Sequence, residues 1–324
     1  EDLQTQSVSI TLEQSFDDWC AAQLAKHLNK AKDYEFFMKR SAYYRNLHHP
    51  ETKFFQPKNS KGEWVLVDGN QTCMIFLYYI IKNRIAQGQM KGNEFIVKTI
   101  VTTELIREIA KKNHVEMHDC YTGFKWIANV MRENEGKARY LGGGEESYGF
   151  LAEDFVRDKD SVSAISLMAE IAAWAKDKGL NMTDMLIDIY MKYGFSREKG
   201  ISLVRKGKSG AEEIIALMKQ FRENPPKEIA GSPVVTVKDF QSLVETNVAT
   251  GETKKLDMPA TSNVLQYYTA DRTKVSVRPS GTEPKIKFYI EVHDTLASAD
   301  EYKATEARAD EKINRIAKEF GITK

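Results

Sequence analysis

The 324-residue sequence predicts a mixed fold: an α/β layer domain followed by a small α+β domain, with an N-terminal helical hairpin in front. Three observations predict it. Between Lys61 and Gly179, strand-like and helical stretches alternate, as in layered α/β domains. Beyond about residue 231, short strand-like runs gather and one amphipathic helix follows them. Before residue 60, apolar residues recur at helical spacing. The length accommodates two or three domains.

In order, the first helix carries Leu12, Phe16, Trp19, Cys20 and Leu24 on one stripe, and the second carries Tyr34, Phe37, Ser41 and Tyr44, with Asp33 as its cap. An aromatic-rich loop, His48 to Lys58, follows. Gly69-Asn-Gln-Thr72 leads into a long apolar helix through Ile81. Next come a strand (Phe95 to Val101), a helix (Thr103 to Lys112), a short strand (Val115 to Met117) and a helix (Phe124 to Asn134). Asp158 and Asp160 precede Val162, Ile165, Met168, Ala169, Ile171 and Ala172; acidic residues there satisfy the free N–H groups and dipole of a helix start. That helix ends near Gly179. A connector spans 181–230: a helix, a basic strand (Ile201 to Arg205), a helix (Ala211 to Arg222) and Pro225-Pro226. Strands near Val234 to Val237, Asn263 to Tyr268, Lys274 to Arg278 and Lys285 to Val292 come last, with a helix from Ala299 to Phe320. The expected domains are 1–60, 61–180, the connector 181–230, and 231–324.

Lysine plus arginine (47) nearly balances aspartate plus glutamate (46), so no global field marks a nucleic-acid or membrane binder, and an anion site must be local. Three widely spaced cysteines, Cys20, Cys73 and Cys120, fit a reducing compartment and neither a disulfide framework nor a zinc cluster. No signal peptide opens the sequence, and its most apolar run, Cys73 to Ile81, is too short to span a bilayer. A soluble cytoplasmic protein is expected.

The most informative stretch is Arg278-Pro-Ser-Gly-Thr-Glu-Pro-Lys-Ile-Lys287. Thr273 to Val277 alternates like a half-buried strand; after the turn, Ile286, Phe288 and Ile290 share one face and Lys285, Lys287 and Tyr289 the other. Pro279 sets φ, and Gly281 is free to take a positive one. Such a turn can aim backbone N–H groups, the Ser280 and Thr282 hydroxyls and the Arg278 guanidinium at one phosphate. An ordinary hairpin with its charges in water fits the same residues.

Arg278-Pro-Ser-Gly-Thr-Glu-Pro284 resembles the phosphate-binding loop of the α-D-phosphohexomutases, the phosphoglucomutase/phosphomannomutase family. Leu141-Gly-Gly-Gly-Glu-Glu-Ser-Tyr-Gly149 resembles its sugar-binding loop, and Thr122-Gly-Phe-Lys-Trp126 a segment shortly before that loop. The resemblance runs from about Gly62 to the C-terminus and implies a mutase-type third domain followed by the fourth. It implies interconversion of hexose 1-phosphate and hexose 6-phosphate, glucose or mannose, through an enzyme phosphoserine and a hexose 1,6-bisphosphate, with Mg²⁺. Residue by residue it places Arg278, Ser280, Gly281, Thr282 and Lys287 on the non-reacting phosphate. Many relatives have Arg where Lys287 stands, and Lys loses the bidentate fork. Glu145 and Ser147 match the pair that binds two sugar hydroxyls, though adjacent glutamates in a Gly-rich loop also fit a solvated turn. Arg157-Asp-Lys-Asp160 resembles a nearby segment in which Lys159 is a candidate general acid/base or phosphate contact, or equally an exposed lysine at a helix start. Lys125 is a further candidate for the cleft.

Neither a phosphoserine loop nor the Asp-x-Asp-x-Asp-Arg type of Mg²⁺ loop occurs, so the chain is expected to supply binding without catalysis, or to act as a hexose-phosphate-binding fragment. Domain faces left without their partners are expected to self-associate. Gly200 to Ser209 has the wrong glycine spacing for a P-loop, His114 and His118 flank a strand, and Ala260-Thr-Ser-Asn263 lacks the His and Pro of the phosphoserine motif. Thr11-Leu-Glu-Gln-Ser-Phe-Asp-Asp-Trp19, Arg45-Asn-Leu47 and Phe54-Phe-Gln-Pro-Lys58 resemble the family 92 α-mannosidases, calcium-dependent exported enzymes, with Glu13 matching a carboxylate. A helical hairpin cut from that barrel is expected to be a packing appendage, joined at a seam near Lys61.

Overall fold

The computed structural model describes residues 8–47, 67–205, 207–281 and 284–322. The order is α1 (Val8–His27), α2 (Ala31–Ser41), a 3₁₀ turn (Tyr43–Leu47), α3 (Gly69–Ala86), β1 (Glu94–Thr99), α4 (Leu105–Lys112), β2 (Glu116–Cys120), α5 (Phe124–Glu133), β3 (Arg139–Gly144), β4 (Phe150–Ala152), α6 (Ser161–Asp177) and α7 (Met182–Tyr193). Then follow β5 (Phe195–Val204), α8 (Gly207–Glu223), β6 (Glu228–Ile229), β7 (Ser232–Asp239), β8 (Val244–Asn247), β9 (Thr253–Lys255), β10 (Leu265–Thr269), β11 (Lys274–Pro279), β12 (Lys285–Asp294) and α9 (Tyr302–Glu319). The chain divides into two compact units, one of residues 1–91 with 140–186 and the other of residues 92–139 with 187–324. The seam at Lys61 and the loop His48 to Lys58 lie outside the described residues.

In the first unit, α1 and α2 form the expected hairpin with an unexpected inner face. Ser15, Asp18, Ala22 and Ala25 are the buried stripe of α1, whereas Phe16, Trp19 and Leu24 are exposed. The small residues let the helices approach, and Arg40 reaches back to pair with Asp18 at 3.1 Å. Phe16 and Trp19 stack on each other at 6.3 Å on the outside. Asp33 lies in the first turn of α2 rather than at its cap, which is Lys30. In α3, Cys73 to Ile81 are all buried, so the helix is covered on every side. Its start is fixed by a reciprocal cap in which Asp68 accepts from the Gln71 N–H at 2.9 Å and Gln71 accepts from the Asp68 N–H at 3.1 Å. It lies against β3, where a Cβ on Gly142 would meet Leu77 at 3.1 Å and one on Gly144 would meet Cys73 Sγ at 2.8 Å. On its other side, Tyr79 donates to Glu170 of α6 at 2.6 Å and meets Trp174 edge-on.

In the second unit, β1 and β2 pair in parallel from Phe95↔Glu116 to Thr99↔Cys120. The larger sheet is antiparallel throughout, in the order β5-β12-β11-β10-β7-β8-β9, with β6 on β7. It therefore holds more strands than the four read from sequence: β5 pairs with β12 over ten residue positions, and β8 and β9, polar and mostly uncovered, lacked an apolar period to reveal them. On one face of the sheet, Tyr267 and Phe288 pack against Phe221 of α8 and Phe320 at the end of α9. The other meets residues 99–126 through Ile100, Val101, Tyr121, Phe240, Leu256 and Val264.

Candidate functional site

In the first unit, the loop Glu145 to Gly149 is the turn between β3 and β4, closed by the Glu145 N–H donating to the Gly149 carbonyl at 2.8 Å. It sits on the start of α3: a Cβ at Gly69 would lie 2.0 Å from the Glu146 carbonyl oxygen, so only glycine fits there. Tyr148, at φ +71°, donates to the Val67 carbonyl at 3.3 Å, and partial burial together with the Asp68 carboxylate pushes its phenol pKa up. Glu145 is buried and Ser147, at the tip of the turn, is exposed. The Asp160 N–H donates to the Phe150 carbonyl at 3.2 Å, which returns the start of α6 to this loop. Lys159 consequently flanks Gly149, where an added Cβ would lie 2.8 Å from Glu145 Oε2 and 3.2 Å from Lys159 Cδ. The structure thus brings the side chains of Glu145 and Lys159 together over one glycine. The Lys159 ammonium is exposed and pairs with Asp158 at 3.1 Å.

In the second unit, β11 and β12 form the expected hairpin, with Arg278 directly opposite Lys287. Ile286, Phe288 and Ile290 are buried, as their spacing predicts, but Thr273 to Val277 are buried on both faces instead of alternating. The reason is that residues 99–122 cover the polar face of β11. Gly281 does not use a positive φ, and a Cβ there would meet open space; the expectation from turn chemistry fails at this residue. Thr282 lies outside the described residues. The Ser280 N–H donates to the Lys285 carbonyl at 2.8 Å, and the Arg205 N–H to the Pro284 carbonyl at 2.9 Å. Arg278 donates through one terminal nitrogen to Thr122 Oγ1, while its buried Nε has no acceptor among the described residues. The structure thus joins the Thr122 motif to the phosphate hairpin. Lys125 is exposed, with its ammonium 5.4 Å from the centre of the Trp126 ring.

At the other end of the same hairpin lies a buried ion cluster that sequence reasoning missed. Glu104 Oε1 accepts from Lys98 at 3.0 Å and from Lys274 at 2.9 Å. Lys98 also pairs with Asp119, its neighbour across the parallel strands, at 2.9 Å. Lys274 lies 2.7 Å from Glu291, which accepts the Glu104 N–H at 2.7 Å and pairs with His293 at 3.1 Å. Burial opposes ionisation of Glu104, yet Lys274, Lys98 and Arg107 outweigh it and hold that carboxyl well below its usual range. Burial likewise disfavours the charge on Lys274, and Glu104 and Glu291 reverse it, raising its pKa. The available signal was Lys98 itself, a lysine that directly follows the apolar run Phe95 to Val97 within a strand.

Among the described residues, no group of three or more His, Cys, Asp and Glu side chains is arranged so that it could hold a metal ion, so they do not fit a Mg²⁺ site. In the nearest sequence feature, Asp158 is taken up by Lys159 and Asp160 caps α6 by accepting from the N–H groups of Val162 and Ser163.

Residues 68–193 match the family described as phosphoglucomutase/phosphomannomutase, alpha/beta/alpha domain III, and residues 243–309 match its C-terminal domain. Residues 1–101 match the glycosyl hydrolase family 92 catalytic domain, so the two matches overlap over 68–101. A phosphoglucomutase of Staphylococcus aureus (strain MRSA252) is 35% identical over 233 residues, which cover 72% of this chain and 41% of that protein. Among solved structures, the phosphoglucomutase parafusin from Paramecium aligns with a TM-score of 0.47 at 14% identity, over 81% of this chain and 44% of its own. Aspergillus fumigatus N-acetylphosphoglucosamine mutase, solved in complex with GlcNAc-6P and magnesium, aligns with a TM-score of 0.33 at 13% identity, over 81% and 46%. From the third domain onward, the chain belongs to the phosphoglucomutase/phosphomannomutase family. It spans less than half the length of the curated relatives it matches. None of the described helices is long and apolar enough to cross a membrane.

Proposed function

We propose that this chain is the sugar- and phosphate-binding half of a cytoplasmic hexose-phosphate mutase of the phosphoglucomutase/phosphomannomutase type. The observation that carries it is Arg278 facing Lys287 across two paired strands, with no carboxylate beside either among the described residues. Like charges directly opposite each other weaken a sheet, and an anion between them relieves the cost. Arg278, Lys287 and Ser280 hold the phosphate that does not react. Glu145 and Ser147 bind sugar hydroxyls, and Lys159, beside Glu145, serves as acid/base or phosphate contact.

In the complete reaction, an in-line transfer moves phosphate between the C1 and C6 oxygens by way of a hexose 1,6-bisphosphate, and rigid anchoring of the other phosphate is this half's contribution. A magnesium ion would neutralise charge on the transferring group, but no residues described here suit it. The isolated chain is therefore expected to bind glucose 6-phosphate without converting it. Calorimetric titration of the chain beside Arg278→Ala tests this: binding lost in the variant supports the assignment, and binding retained in full by Arg278→Ala, or absent from both, defeats it. A second reading, α-mannoside hydrolysis, has the match over residues 1–101 behind it. Release of mannose from an α-mannoside in calcium would establish it; none is expected.

A further inference from the structure

We propose that Glu104 and Lys274 are positioning residues for the phosphate hairpin, setting from its base where Arg278 stands at its tip. This rests on the proposed role of the Arg278 loop in binding phosphate. Lys274, Ser276 and Arg278 alternate along β11 and so share one face, about 13 Å from first to last at the usual rise of a strand. Each is fixed to the same stretch of chain, residues 100–122. At the base, Lys274 donates to the Thr102 carbonyl at 3.1 Å and to Glu104 at 2.9 Å. In the middle, Gln266, the cross-strand neighbour of Ser276, donates to Ser276 Oγ at 2.9 Å and to the Ile100 carbonyl at 2.7 Å. At the tip, Arg278 donates to Thr122. On β12 the same face carries Glu291, Tyr289 and Lys287, opposite Lys274, Ser276 and Arg278 in turn.

Register is what such a stripe controls. Glu104 follows directly after the Thr99 to Thr103 turn and accepts from a lysine on each side, Lys98 on β1 and Lys274 on β11. With both ammoniums buried, the hairpin cannot slide or tilt against β1 without separating charges in a dry interior. A strand held at base and middle brings Arg278 to Thr122 already oriented, which reduces the ordering that a bound phosphate must impose.

The test uses the whole chain, glucose 6-phosphate as probe, and the NMR signal of the Arg278 Nε–H group. In folded Glu104→Gln we expect affinity to fall about tenfold and the Arg278 signal to lose protection from solvent exchange. Lys287→Ala should weaken affinity and leave that protection intact, a separation that a general loss of structure would not produce. An unchanged Arg278 signal in folded Glu104→Gln overturns the proposal. Should Glu104→Gln fail to fold, Gln266→Met, midway along the stripe, takes its place: lost protection at Arg278 supports the proposal and an unchanged signal overturns it. Absence of binding by the unsubstituted chain would defeat the phosphate assignment, while the exchange of Arg278 would still decide whether Glu104 positions it.

Discussion

The two ends of the β11–β12 hairpin belong to the same pair of strands, four residues apart, and are built on opposite electrostatic terms. At the base, Lys274 stands opposite Glu291 and both are almost wholly buried, with Glu104 and Lys98 completing the charge balance. At the tip, Arg278 stands opposite Lys287, both are half-buried, and the only partner described for either is the neutral hydroxyl of Thr122. A hairpin that served only as structure would gain by repeating the arrangement of its base. Excess positive charge at one end of an otherwise compensated face marks the place where an external anion completes the set.

The largest effect should separate the ends by stability. Lys274→Ala leaves Glu104 and Glu291 buried with one cation fewer, a change that costs about 3–5 kcal/mol. Lys287→Ala removes a like-charge neighbour and should stay within about 0.5 kcal/mol of the parent chain. Urea unfolding followed by Trp126, which packs in the core of this unit against Tyr121, measures both. Equal losses at the two ends would abolish the distinction.

Acid should separate them next. Glu104 and Glu291 both have folded pKa values held below the usual 4.5, so the unfolded chain takes up protons first as pH falls. Their contribution is complete above about pH 4.5 and drains as pH drops through the folded value, about 2 for Glu291, at up to ~1.4 kcal/mol per pH unit for each group. Asp271, held low chiefly by Lys312, Thr269 and Thr273 against the effect of burial, titrates on the same limb. Glu104→Gln should therefore flatten the acid slope only in part, and Lys287→Ala should leave it unchanged. A slope that Glu104→Gln does not alter would show that the base is not the acid-sensitive element.

The sequence declared these two ends unequally, for a physical reason. Arg278, Ser280 and Lys287 could be read because a turn that binds an anion concentrates its signal in a few adjacent residue types. The glycine loop at 141–149 was legible likewise, although Gly142 and Gly144 serve to let α3 lie on β3, and Gly149 to leave room for Glu145. The base was far harder to read: Lys98 follows an apolar run, but Glu104, Lys274 and Glu291 are scattered over almost two hundred residues from it, and each looks like an ordinary surface charge until the sheet folds. In α1, periodicity misled. It marked Phe16, Trp19 and Leu24 as an inner stripe, but the smaller Ser15, Ala22 and Ala25 are buried and allow the closer packing that the hairpin adopts.

Binding sharpens the comparison further. Arg278→Lys keeps the charge at the tip while discarding the planar fork, and with it a geometry that can serve Thr122 and a phosphate together. Glucose 6-phosphate affinity is expected to fall about tenfold, roughly 1.4 kcal/mol, with the urea midpoint nearly unchanged. Full affinity in Arg278→Lys would mean that the tip supplies charge alone, and that the hydroxyl of Thr122 has no part in orienting it.

Salt gives the smallest and most discriminating contrast. The Debye length shrinks from about 10 Å at 0.1 M salt to about 3 Å at 1 M, which screens charges that reach solvent far more than those enclosed by protein. Raising sodium chloride over that range should weaken glucose 6-phosphate binding several-fold by screening Arg278 and Lys287. It should leave the stability difference between the parent chain and Lys274→Ala where it was, because Lys98 and Lys274 are enclosed. If salt instead erases the Lys274→Ala penalty and spares the affinity, the assignment of a dry structural base and a wet binding tip is reversed.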